Sequence, residues 1–235
     1  MKNLELSPTK KEQSIIRTVA GHLKNASILL LLYLTLNQMP YYVTELPFFF
    51  GNFYGIPRVF SIMIAIVLLF LMVVIGYKVA KRFNLVNLTD PFTNNHVRLI
   101  IVAFLIEQVI GYTSLFLQRN LADRTASYSS TVENGSGITA FLALAIVLPI
   151  IEEIIYRGFI MGAWLKLYPK IGLIVSAFCF TLIHVPNSEI AFLQYFLKAI
   201  LYGVVYLKCR RLEVTMGMHI LNNLPGGLQM LFHLF

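Results

Sequence analysis

Seven stretches of this 235-residue chain are apolar enough to cross a lipid bilayer, and that limits the fold before any single residue is considered. They run from residues 26 to 42, 59 to 77, 97 to 117, 138 to 165, 171 to 185, 190 to 207 and 214 to 235. A hydrocarbon layer about 30 Å thick takes roughly 20 apolar residues of helix, and only helices or closed barrels satisfy every backbone group inside it. None of the stretches alternates apolar with polar residues, so strands are excluded. With 57% hydrophobic residues, 13% charged residues and a mean hydropathy of +0.72, the chain is far more apolar than a soluble domain. The expected fold is all-α, a polytopic membrane bundle of about seven transmembrane helices.

The net charge of +8 could suggest a nucleic-acid partner, but the basic residues sit at the edges of apolar spans and not in one cluster. Positive-inside topology explains them, and nucleic acid is excluded. Lys2, Lys10, Lys11, Arg17 and Lys24 precede the first span. Lys78, Lys81, Arg82 and Arg98 follow the second, Lys166 and Lys170 the fourth, and Lys208, Arg210 and Arg211 the sixth. These four segments are expected in the cytoplasm, with the N-terminus inside, the C-terminus outside and the protein in the plasma membrane. Residues 41–58, aromatic and punctuated by Pro and Gly, and the Ser/Thr-rich residues 118–137 are expected as outer loops. Residues 1–24 lack a small-residue cleavage pattern, so the first span is expected to be retained as a helix. Cys179 and Cys209 have no spacing that implies a metal site or a disulfide framework.

Chemistry concentrates in the second half. Glu152 and Glu153 fall in the middle of the fourth span with Arg157 one turn further on, and ionisable groups at that depth point to function. Residues four apart share a helix face and neighbours diverge by about 100°, so Glu153 faces Arg157 while Glu152 points elsewhere. Pairing lowers the penalty of burying Glu153 and Arg157, which makes them structural support and Glu152 the freer carboxylate. Desolvation favours the neutral form of an unpaired carboxyl group, the tuning that a general acid or base uses near neutral pH. Pro149, just before the pair, can kink the span and free backbone carbonyls near the site.

His184 closes the fifth span, and His219 and Asn223 share a face of the seventh. Singly, each has an ordinary reading as an interfacial residue or as helix glue worth about 0.6 kcal/mol. Jointly, two Glu, an Arg, two His and an Asn in three spans of so apolar a chain are too costly for glue alone. At about 1.5 Å per residue from the cytoplasmic ends, His219 lies roughly 10 Å deep and His184 roughly 20 Å, a mismatch that tilt or a polar cavity must absorb. Glu107 and Lys198, each near the middle of a span, are expected to form a structural ion pair. His22, His96 and His233 lie near span ends and are expected to face headgroups.

The ordered motifs Glu152-Glu153-x-x-x-Arg157, Phe180-x-x-x-His184 and His219-x-x-x-Asn223, on separate spans, resemble the CAAX-protease and bacteriocin-processing (CPBP, or Abi) family of intramembrane proteases. The resemblance covers roughly Pro149 to Asn223 and implies peptide-bond hydrolysis inside the membrane. It implies that Glu152 and His184 activate water and that His219 and Asn223 stabilise the oxyanion. Many members of that family are described as metalloproteases, and Glu152, His184 and His219 would then be the ligands of a catalytic Zn2+ with an open fourth position. No H-E-x-x-H is present, and metal-independent catalysis is the preferred reading.

The expected organisation is a cytoplasmic segment at residues 1–25, three transmembrane helices at 26–137, and a catalytic core of four spans at 138–235. The expected partners are the lipid bilayer and a membrane-associated protein or peptide substrate, such as a leader or signalling peptide. The alternatives are a non-catalytic immunity or scaffold protein and, less well supported for want of internal repeats, a proton-coupled transporter.

Overall fold

The computed structural model describes residues 10–85, 91–119 and 137–232, which are helical almost throughout, with no strand among them. The order is α1 (Lys10–Leu32), a π-helical segment (Tyr33–Asn37), α2 (Met39–Tyr54), α3 (Arg58–Arg82) and α4 (Asn94–Arg119). A composite helix, Gly137–Trp164, follows. It consists of α5 (Gly137–Ala140), a π segment (Phe141–Val147), α6 (Leu148–Glu153) and a second π segment (Ile154–Trp164). The chain closes with α7 (Pro169–Ile183), α8 (Glu189–Cys209) and α9 (Leu212–Phe232).

Five helical stretches are long and apolar enough to cross a membrane: Arg17–Tyr54, Arg58–Arg82, Asn94–Gln118, Gly137–Trp164 and Glu189–Cys209. The other two expected spans are helical but weaker candidates. α7 has only 15 residues, about 22 Å at 1.5 Å each, and α9 carries His219, Asn222, Asn223 and Pro225 within its 21 residues. The expected outer loop at 41–58 is corrected: α2 runs on to Tyr54, and the chain breaks only at residues 55–57. Pro40 sits in the first turn of α2, where its missing N–H is no loss, and lipid-facing helices tolerate a proline such as Pro47. Gly55, at φ 63°, ends the helix in the left-handed conformation that glycine adopts without strain. Residues 1–9, 86–90, 120–136, where the second outer loop was expected, and 233–235, including His233, lie outside the described residues.

The composite helix is the centre of the bundle. In its most apolar stretch 67% of residues are buried, against 11–33% in the other four spans, whose outer faces carry exposed Phe, Leu, Ile and Val as a lipid-facing surface would. Ile151, Ile155, Tyr156, Phe159 and Ile160 pack with Leu69 and Met72 of α3 and with Ala177 and Phe180 of α7 in the main apolar cluster. α9 lies along the first π segment and α6, α7 packs on α8 and on the second π segment, and α4 packs on α8 and α9. Close approach is made possible by small residues. A Cβ at Gly227 of α9 would come within 2.6 Å of the Ala145 Cβ, and one at Gly203 of α8 within 2.3 Å of Leu173. At one end of the composite helix the Trp164 indole donates to His22 Nδ1 at 3.0 Å, so His22 is engaged with protein.

Candidate active site

The two glutamates end α6, between two π-helical segments of the kind that often mark functional sites. Glu153, Arg157 and Ile151 are fully buried, and Glu152 is 2% exposed. As the four-residue spacing requires, Arg157 Nη1 donates to Glu153 Oε1 at 3.0 Å. Arg157 Nη2 donates to the Ala199 carbonyl of α8 at 3.2 Å. The guanidinium carbon lies over two rings, 4.7 Å from the Phe180 centroid and 5.0 Å from that of Tyr202, and the rings themselves stand nearly perpendicular, at 84°. Arg157 thus ties the composite helix to α7 and α8 through groups that only a planar, forked cation can reach together.

Glu152 points away from Arg157 and towards α9. His219 sits between the two carboxylates, with Nδ1 3.1 Å from Glu153 Oε1 and Nε2 3.5 Å from Glu152 Oε2. Glu153 is therefore the hub, binding Arg157 and His219 through one oxygen. Its hydrogen bond fixes the Nδ1 proton of His219 and directs Nε2 at Glu152, much as a buried carboxylate orients a catalytic imidazole. Among the described residues Glu152 Oε1, Glu153 Oε2 and Arg157 Nε have no hydrogen-bond partner, although all are buried.

Asn223, one turn after His219, reaches the first π segment. There the Leu148 amide bonds to the Ala143 carbonyl five residues back. In the same register Pro149 would bond Leu144, but proline has no N–H to give. The orphaned Leu144 carbonyl accepts from Asn223 Nδ2 at 3.1 Å. The proline before the glutamate pair thus creates the acceptor that docks α9, the freed carbonyl expected from sequence. Asn222 Nδ2 donates to Asn223 Oδ1 at 3.2 Å, and Lys198 Nζ donates to Asn222 Oδ1 at 3.0 Å.

His184 ends α7, where its Nδ1 donates to the Phe180 carbonyl at 2.7 Å, since a carbonyl can only accept. That bond leaves Nε2 of the neutral ring as an acceptor. The imidazole stacks between Phe180 (4.5 Å) and Tyr195 (4.4 Å). Phe180 also lies 5.7 Å from His219, so one ring touches both histidines. No hydrogen bond joins His184 or Asn223 to Glu152. Val185, the next residue, has φ 44°, an uncommon backbone conformation for a β-branched side chain.

Among the described residues no three His, Cys, Asp or Glu side chains are grouped as metal ligands. Glu152 and His219 adjoin, with both nitrogens of His219 facing carboxylates, and His184 does not join them in a group of three. The expected Glu107–Lys198 ion pair is corrected as well. Glu107 accepts from the Tyr202 hydroxyl, and Lys198 takes Asn222. Tyr202, which touches Arg157 and His219, was not singled out from sequence. Its signal was its place one turn after Lys198 inside a span, away from the interfaces where aromatic belts collect.

Comparison with known proteins bears on the same elements. Residues 134–225 match the family described as type II CAAX prenyl endopeptidase Rce1-like. The segment resembles that family. It runs from just before α5 to Pro225 and contains Glu152, Glu153, Arg157, His184, His219 and Asn223, while α1 to α4 lie outside it. No curated protein and no solved structure matches the chain significantly.

Proposed function

We propose that the protein is an intramembrane endopeptidase that hydrolyses a peptide bond in a membrane-associated protein or peptide. The observation that carries the reading is the buried Glu152–His219–Glu153–Arg157 array inside the Rce1-like segment. Such a set of charges is costly in a bilayer, and here its members pair with one another. Glu152, with Oε1 unpartnered, takes the proton of the attacking water as its oxygen adds to the scissile carbonyl carbon. The acceptor Nε2 of His184 orients that water from α7. With its Nδ1 proton on Glu153, His219 carries a second proton on Nε2 only as the imidazolium; in that form, once Glu152 is protonated, its hold on the Nε2 proton weakens and that N–H turns to the new oxyanion. The second N–H of Asn223, not used by Leu144, is the other donor. Glu152 then passes its proton to the leaving nitrogen as the C–N bond breaks. No step in this account is routed through a metal.

The substrate follows from a comparison of peptide termini in membranes from cells carrying the wild type and Glu152→Ala. A new terminus found only with the wild type supports the reading and names the substrate. Identical termini at equal protein abundance refute it.

A further inference from the structure

The Rce1-like segment does not hold every buried charge that reaches this site. Glu107 of α4 is fully buried and precedes residue 134 by more than twenty positions. One of its oxygens accepts from the Tyr202 hydroxyl of α8, and the other has no partner. Tyr202 is itself 1% exposed, and its ring makes two contacts with the candidate machinery. The ring lies under the Arg157 guanidinium at 5.0 Å and beside the His219 imidazole at 5.1 Å, tilted by 38°. Phe180, nearly perpendicular to it, is the other ring that meets both groups, at 4.7 Å from the guanidinium and 5.7 Å from the imidazole.

A tyrosine ring packed only by side chains can shift along its own plane, whereas a hydrogen bond at its tip fixes where its face points. The face matters because an aromatic quadrupole attracts Arg157 directly and attracts His219 whenever that ring is charged. The seam between α4 and α8 carries a second polar latch about two turns away. There Ser114 donates to Gln194 at 2.7 Å and Gln118 donates to Ser114 at 2.8 Å. That latch joins the same two helices without touching Arg157 or His219, so it separates helix docking from ring placement.

We propose that Glu107 is a positioning residue for the site. It grips the Tyr202 hydroxyl and so holds the ring that orients Arg157 and His219, which makes α4 part of the machinery although it lies outside the Rce1-like segment. The kinetic part of the test rests on the endopeptidase reading, and the spectroscopic part does not.

The test uses the full chain in lipid nanodiscs with 15N-labelled histidines, the His219 signals being assigned by their loss in His219→Asn. Glu107→Leu and Tyr202→Phe are expected to move the ring-nitrogen signals of His219 and to lower kcat about tenfold at unchanged KM, the worth of one hydrogen bond. Glu107→Gln still accepts from the phenol and is expected to keep the wild-type signals. Ser114→Ala, which loosens the seam elsewhere, is expected to keep them too. Wild-type His219 signals in both Glu107→Leu and Tyr202→Phe overturn the proposal, and so does a Glu107→Gln variant as impaired as Glu107→Leu. If Glu107→Leu does not accumulate, Tyr202→Phe decides, since it keeps the ring and removes only the grip. If the wild type cleaves nothing, the endopeptidase reading falls while the His219 signals still decide this one.

Discussion

At the scale of single residues the site is organised by Glu153, whose one oxygen binds Arg157 and the His219 imidazole. Removing Arg157 leaves a buried carboxylate without its countercharge and the Ala199 carbonyl without its donor. Arg157→Ala should therefore lose about 3–5 kcal/mol of stability, seen as low accumulation and a lower midpoint in thermal unfolding in detergent. Arg157→Lys should restore only part of it, because an ammonium lacks the planar fork that reaches Glu153 and the Ala199 carbonyl together beside the Phe180 and Tyr202 rings. Wild-type stability of Arg157→Ala would contradict the pairing. This pair was legible in the sequence because i,i+4 spacing on a helix is local geometry. The meeting of Glu152 with His219 followed only from the resemblance of the ordered motifs, since it depends on how α9 packs against α6. The same limit explains the misassigned Glu107–Lys198 pair: both lie mid-span, but the seam of α4 and α8 gives Glu107 the nearer phenol.

At the scale of elements, the composite helix gains its central place by being buried where other spans face lipid, and π-helical widening on both sides of the glutamates lets it accommodate Pro149. The accommodation has a partner in α9, because the carbonyl without an amide is the one Asn223 binds. Gly227, one turn further along α9, lets the two backbones come this close, and the Ala145 Cβ facing it has no torsion by which to yield. Gly227→Leu should push α9 away from the first π segment. It should also break the Asn223–Leu144 bond and reduce both the folded fraction and cleavage, with Gly227→Ala intermediate. Equal unfolding midpoints for the wild type and Gly227→Leu would refute this packing. Most spans could be located from hydropathy to within a few residues. The exception, residues 41–54, shows that Pro and aromatic residues lose their value as loop signals in lipid, where the backbone has no solvent to bond instead.

At the scale of the whole molecule, the arrangement of basic residues gives the bundle its proposed direction. In that proposal the segments that contain Lys81, Lys166 and Lys208 lie in the cytoplasm and the turn between α7 and α8 on the other side. In a chain with Cys179 and Cys209 replaced by Ser, Lys166→Cys should react with an impermeant thiol reagent only in inverted vesicles. Asn187→Cys should react only in intact cells, and the reverse pattern would refute the orientation. The first three spans looked chemically bland in sequence, and Glu107 shows why that was incomplete: one acid in an apolar helix gains meaning only from what it packs against.

The central claim, that Glu152 activates water beside His219 within the bilayer, is tested most directly by Glu152→Gln, which keeps the shape and removes the base. Cleavage of the peptide found by the terminus comparison is followed at single turnover, with wild type and variant reconstituted in the same lipid. The account predicts a folded variant whose cleavage rate falls by about 100-fold or more, the scale of a general base. Cleavage by Glu152→Gln at the wild-type rate would contradict it.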